Sequence, residues 1–147
     1  MDRKPGYAAL RKGRFSEAGR LYLVTTVTLE RQSVFQDFDA ARVVVGALQR
    51  EDALCRAQTL AYVVMPDHLH WLMTLGEGMG LSRVVRDVKA VSSRRLGRKV
   101  WERGFHDHAL RREEDVAAVA RYIVANPLRA GLVRRVGDYP HWDAVWL

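Results

Sequence analysis

Two runs of β-forming residues, Ala61-Tyr62-Val63-Val64-Met65 and His68-Leu69-His70-Trp71-Leu72-Met73-Thr74, are separated only by Pro66-Asp67. A link of two turn-forming residues leaves the second run no path except back along the first, so the pair reads as an antiparallel hairpin. Successive side chains on a strand point to opposite faces, so Leu69 and Trp71 share one face while His68 and His70 share the other. The apolar pair belongs to a core. That places two imidazoles side by side on the opposite face, at the mouth of the turn.

The flanking sequence supplies the other elements. Leu21 to Thr28 is rich in β-branched and aromatic residues and reads as a first strand. Asp39 is a candidate N-cap for a helix to about Arg50, with Ala40, Val43, Val44, Ala47 and Leu48 on its apolar side. After the spaced glycines Gly76, Gly78 and Gly80, Leu81-Ser82 opens a second helix to about Leu96. Phe105 to Leu110 is a candidate fourth strand. Glu113 to Ala125 carries Val116, Val119, Ala120 and Ile123 at helical spacing and is stopped by Asn126-Pro127. The tail from Gly131, with Trp142 and Trp146, is expected to pack back on the domain. Strand, helix, hairpin, helix, strand is the β-α-β-β-α-β order of a ferredoxin-like α+β fold, with helices on one face of an antiparallel sheet and the other face free for a site. The third helix is additional to that plan.

At 147 residues the chain has the size of one domain, 1–147, with a basic arm over 1–14 and a tail over 134–147. No apolar run approaches membrane-spanning length, and Met1 to Gly6 has no apolar stretch behind its basic residues, so a cytoplasmic protein without a signal peptide or membrane partner is expected. One cysteine, Cys55, excludes an internal disulfide framework and a multi-cysteine zinc site, and it reads as a packing residue rather than a nucleophile. Lys and Arg total 24 against 17 Asp and Glu, a net charge of +7 that favours a polyanionic partner. The glycines at 76, 78 and 80 lack a Gly-Lys-Ser/Thr ending and read as a turn rather than a phosphate loop.

Two neighbouring imidazoles supply two of the ligands of a metal site, or else are surface histidines that alternate on a strand. His106 and His108 repeat the spacing and form a rival pair. Tyr122 and Asn126 lie four apart on one side of the third helix. The phenol is a candidate nucleophile and the amide oxygen a candidate ligand, against an ordinary helix-edge tyrosine and a helix-ending asparagine. Lys89 sits among basic residues on the second helix, where a solvated face is the default.

Three stretches then combine: Val64-Met65-Pro66-Asp67-His68-Leu69-His70-Trp71-Leu72; Trp101 with Gly104-Phe105-His106-Asp107-His108-Ala109-Leu110; and Tyr122-Ile123-Val124-Ala125-Asn126-Pro127-Leu128-Arg129-Ala130-Gly131-Leu132-Val133. Together they resemble the IS200-like single-tyrosine (HUH) transposases, most closely the REP-associated tyrosine transposases, over about residues 11 to 134. The resemblance implies a ferredoxin-like fold, metal ligands at His68, His70 and Asn126, and a nucleophile at Tyr122. It implies Mg²⁺ or Mn²⁺ as cofactor, and two imidazoles suit Mn²⁺ at least as well. The implied activity is cleavage and rejoining of single-stranded DNA hairpins, such as repetitive extragenic palindromes, through a 5′-phosphotyrosine. Arg83, Arg86, Lys89, Arg94, Arg95, Arg98 and Lys99 would follow the DNA backbone, and Arg11 and Arg14 of the arm would reach a groove or flank. The alternative is a catalytically silent hairpin-binding protein on the same fold. A replication initiator would usually carry further domains, and a metal phosphoesterase would need a water-activating carboxylate that does not stand out. The family has both dimers that exchange the tyrosine helix and monomers, and a monomer is favoured here.

Overall fold

The computed structural model describes residues 16–111 and 114–145. Arg11, Arg14 and the rest of the arm lie outside the described residues, as does Trp146. Five strands and four helices follow in order: β1 (Leu21–Val27), α1 (Phe38–Ala53), β2 (Ala57–Met65), β3 (His68–Leu75), α2 (Leu81–Leu96), β4 (His106–Ala109), α3 (Val116–Val124), the short α4 (Asn126–Arg129) and β5 (Trp142–Ala144). The sheet order is β4-β1-β3-β2-β5, and every neighbouring pair is antiparallel. The first four strands have the expected ferredoxin-like arrangement. The tail adds β5 along the outer edge of β2, pairing Ala61 with Ala144 and Val63 with Trp142.

The central hairpin pairs Met65 with His68 directly across the Pro66-Asp67 turn. The end of β1 holds that turn in place. The Thr28 amide donates to the Asp67 carbonyl at 3.0 Å, and the Phe35 amide donates to the Pro66 carbonyl at 2.9 Å. Alternation then sorts the side chains. Leu69, Trp71 and Met73 join Tyr22 and Val24 in a core beneath α1 and α2, to which Val44, Leu48, Val84 and Val88 contribute. Trp71 is fully buried there, and its indole N–H donates to Thr59 Oγ1 at 2.9 Å.

The opposite face is not left free. Leu72, Val63 and Ala61 on that side form a second core with Ala120, Ile123 and Val124 of α3 and Ala144 of β5. Helical spacing turns this stripe of α3 inward, with Val116 and Val119 half-buried at its margin and Ala118, Arg121 and Tyr122 exposed on the outer side. The tyrosine helix therefore packs on the same sheet face as the histidine pair.

Three local expectations are corrected. Asp37, not Asp39, caps α1, its carboxylate accepting from the Ala40 amide at 3.1 Å, so the helix starts earlier and buries Ala40 and Ala41. Strand β2 begins at Ala57, ahead of a register irregularity between Thr59 and Ala61. Cys55 is exposed at φ 58°, in the tight connection after α1, rather than in the core. A Cβ on Gly76 would lie 2.3 Å from the Cys55 carbonyl oxygen, so the chain crosses there only with glycine.

One buried charge cluster joins the two helices. The Glu51 side chain is 0% exposed, with Arg50 and Arg56 Nη1 atoms each 3.6 Å from its carboxyl. Both arginines bind Asp87 of α2 more closely, at 2.5 and 2.8 Å. Burial, then the facing Asp87, push Glu51 up to about 7, against the opposing pull of the arginines.

Candidate active site

His68 and His70 lie on the central strand, ring centroids 4.8 Å apart and edge to face. Each has its Nδ1 engaged by a neighbour. His68 Nδ1 is 2.7 Å from Asp67 Oδ1. Burial opposes ionisation of Asp67, but the hydrogen bonds from His68 and Arg31 hold its carboxyl below the ordinary range. An ionised carboxylate only accepts, so His68 Nδ1 is the donor in this pair and Nε2 is the ring nitrogen turned away from Asp67. His70 Nδ1 is 2.8 Å from Thr25 Oγ1, the residue paired with it across β1. Burial, His68 and then the Arg129 charge push His70 down to about 4, which keeps that ring neutral around neutral pH. Both rings are thus fixed in orientation through Nδ1, as in histidines that bind a cation through the other nitrogen.

Tyr122 is 65% exposed on α3. Asp115 starts this helix, accepting from the Ala118 amide at 3.1 Å. The helix ends at Val124, two residues before Asn126, which opens α4 with Pro127 behind it. Asn126 Nδ2 donates to the Ile123 carbonyl at 3.0 Å, and its Oδ1 accepts from Arg129 Nη2 at 2.8 Å. The Arg129 guanidinium carbon lies 3.7 Å from the Tyr122 ring centroid. Tyr122, Asn126 and Arg129 thus form one contiguous group, on the face that carries His68 and His70.

Spacing puts Tyr122, Asn126, His68 and His70 forward as candidates and the family resemblance selects them, whereas Thr25 and Arg129 are singled out by neither. The signal for Arg129 was its position, three residues after Asn126 and seven after Tyr122, which returns to the same helical face. Thr25 carried no signal, because its contact depends on strand register. The rival pair behaves differently: His106 and His108 face the same side, across β1, but His108 Nε2 is 3.1 Å from the Glu114 carboxylate.

The expected DNA-contacting residues are not near the histidines. Arg83, Arg86, Arg94, Arg95 and Arg98 are exposed on or just beyond α2, which covers the other sheet face. Lys89 is not a solvated residue. Its ammonium donates to the Glu102 carbonyl at 2.9 Å and also to the Gly104 carbonyl, tying α2 to the chain leading into β4. Lys89, Arg86, Lys99 and Arg103 line a groove of about 350 Å³ between α2 and that segment, floored by Trp101 and Phe105.

The family described as "Transposase IS200 like" matches residues 20–126. The chain belongs to the IS200-like transposase family. Within it, a REP-associated tyrosine transposase of Escherichia coli K12 is 37% identical over 82 residues, covering 54% of this chain and 50% of that protein. A Haemophilus influenzae relative named for the same group is 29% identical over 100 residues, 57% of each chain. This chain therefore spans about half the length of the curated relatives it matches. Among solved structures, a REP-associated tyrosine transposase bound to a REP hairpin superposes with a TM-score of 0.76 at 27% identity, covering 88% of this chain and 79% of that one. The IS200-like family and fold are thus supported by sequence and structure alike, and these three relatives carry REP-associated names. No helix among the described residues is long and apolar enough to cross a membrane.

Proposed function

We propose that the chain is a divalent-metal-dependent endonuclease and strand transferase for hairpin-forming single-stranded DNA, acting through a 5′-phosphotyrosine on Tyr122. The observation that carries this reading is the exposed phenol of Tyr122 grouped with Asn126 on the sheet face of two adjacent, oriented histidines. The REP hairpin held by the solved relative supports DNA hairpins as the substrate class.

His68, His70 and Asn126 would hold Mg²⁺ or Mn²⁺, which supplies Lewis-acid polarisation of the scissile phosphate. Their chemistry fits, with two imidazole nitrogens and an amide oxygen, and favours Mn²⁺ at least as much as Mg²⁺. Tyr122 Oη attacks phosphorus in line, forming the Oη–P bond as the P–O3′ bond breaks. The phenolic proton leaves to solvent and the departing oxygen takes up a proton, giving a free 3′-OH. Because the phosphotyrosine is an ester of similar energy, a 3′-OH of another strand can reverse the step and join DNA without ATP. The exposed arginines of α2 and the groove beside Lys89 would bind backbone of the same DNA on the far side of the sheet. With β5 covering the edge of β2, the chain acts as a monomer.

One observation favours the silent-binder alternative: the Asn126 oxygen is already occupied by Arg129. A labelled hairpin oligonucleotide with single-stranded flanks, incubated with Mn²⁺ or Mg²⁺ and run on a denaturing gel, separates the two. The nuclease reading expects a covalent adduct that disappears in Tyr122→Phe and with chelator. Tight binding without any adduct on several repeat-derived hairpins would establish the silent binder instead.

A further inference from the structure

Arg129 is the cation most closely bound into the group around Tyr122, and the mechanism above gives it no task. Its guanidinium covers the Tyr122 ring with its carbon 3.7 Å from the centroid, and Nη2 donates to the Asn126 amide oxygen at 2.8 Å. The residue is exposed, so incoming DNA meets it. A cation at this place holds one of the two acceptor positions of the amide oxygen that a metal would need, and its charge opposes a second cation on that oxygen.

We propose that Arg129 anchors the scissile phosphate and that, before DNA arrives, it keeps the site closed to a divalent ion by holding the Asn126 oxygen. The inference rests on the reading of Tyr122 as nucleophile. A neutral amide oxygen is a weak partner for guanidinium, whereas a phosphate is charged and accepts two parallel N–H bonds from the same fork. An arriving phosphate therefore draws Arg129 away from Asn126. The exchange neutralises the guanidinium, frees Oδ1, and brings phosphorus next to the phenol that Arg129 already touches. DNA and metal then bind with positive coupling, each raising the affinity for the other.

The test uses the full chain and two readouts. Mn²⁺ affinity is measured by calorimetry without DNA and with a hairpin oligonucleotide, in the Tyr122→Phe background so that no cleavage occurs. The rate of adduct formation is measured at saturating Mn²⁺. Arg129→Ala is expected to bind Mn²⁺ roughly 10-fold more tightly without DNA, as the repulsion between the guanidinium and a cation on the same oxygen is relieved. It is also expected to lose the tightening by DNA and to form adduct roughly 100-fold more slowly, the scale of losing one charge-stabilising donor. Arg129→Lys keeps the charge without the fork, and its adduct rate should fall between the two. Unchanged or weakened Mn²⁺ affinity in Arg129→Ala, with wild type forming the adduct, would overturn this inference alone. A wild-type chain that binds Mn²⁺ and hairpin but forms no adduct would overturn the nuclease reading instead.

Discussion

Replacing Glu51 by glutamine should make the protein more stable at pH 8 while changing little at pH 4.5. The carboxyl is wholly buried between α1 and α2, and neither oxygen receives a hydrogen bond among the described residues. A protonated Glu51 can instead donate to Asp87, and this, with burial, raises it from 4.5 to about 7. The sign follows from linkage. Between those two values the native state holds a proton that the unfolded chain has released, so stability is full below about 4.5 and is lost as pH rises through about 7. At 1.36 kcal/mol per unit, the loss is on the order of 3 kcal/mol. Asp87 is shifted the other way, chiefly by the hydrogen bond from Glu51 and then by Arg50, so its contribution fades only in strong acid, outside this window. Glutamine keeps a donor toward Asp87 and has no proton to lose. Urea unfolding at pH 4.5, 6, 7 and 8 would measure the effect, the difference between variant and wild type widening with pH by on the order of 3 kcal/mol. Parallel pH profiles for the two proteins would refute the argument and mean that Arg50 and Arg56 keep Glu51 ionised.

Further outcomes follow from the same geometry. Thr25→Val removes the partner of His70 Nδ1 and should weaken Mn²⁺ binding roughly 10-fold, with Thr25→Ser restoring most of it, as read by calorimetry. Asp115→Ala removes the cap of the tyrosine helix and should cost about 1 kcal/mol in chemical denaturation, with faster amide exchange confined to α3. Trp71→Ala should cost about 3–5 kcal/mol, since the indole is fully buried and its N–H satisfied by Thr59.

The hairpin, the faces of its residues and the two long helices were legible because they depend on local chemistry: a two-residue turn, strict alternation and helical spacing. The start of β2 was not, since Gln58 and Thr59 are polar and their strand conformation is imposed by pairing with β3. Nor was β5, a three-residue strand that exists only because β2 offers an edge. Two aspartates two residues apart compete to cap α1, and local sequence does not choose between them. The histidines and Tyr122 could be put forward from spacing. Their common face, and the separation of the α2 arginines onto the other, depend on how the connections wind around the sheet. Arg129 and Thr25 gain their roles only through that packing.

The Pro66-Asp67 turn has a consequence for how such a chain can tolerate change. One residue added or removed there would shift β3 by one step and invert it, turning both histidines into the core and Leu69 and Trp71 out to the face that carries Tyr122. Fold and chemistry would fail in the same event. The loop at the other end of β3, where Gly78 is open on all sides, can change length without altering that register. Around its central strand, length variation is therefore confined to the far end, and the end that carries the histidines is fixed by the geometry of two residues.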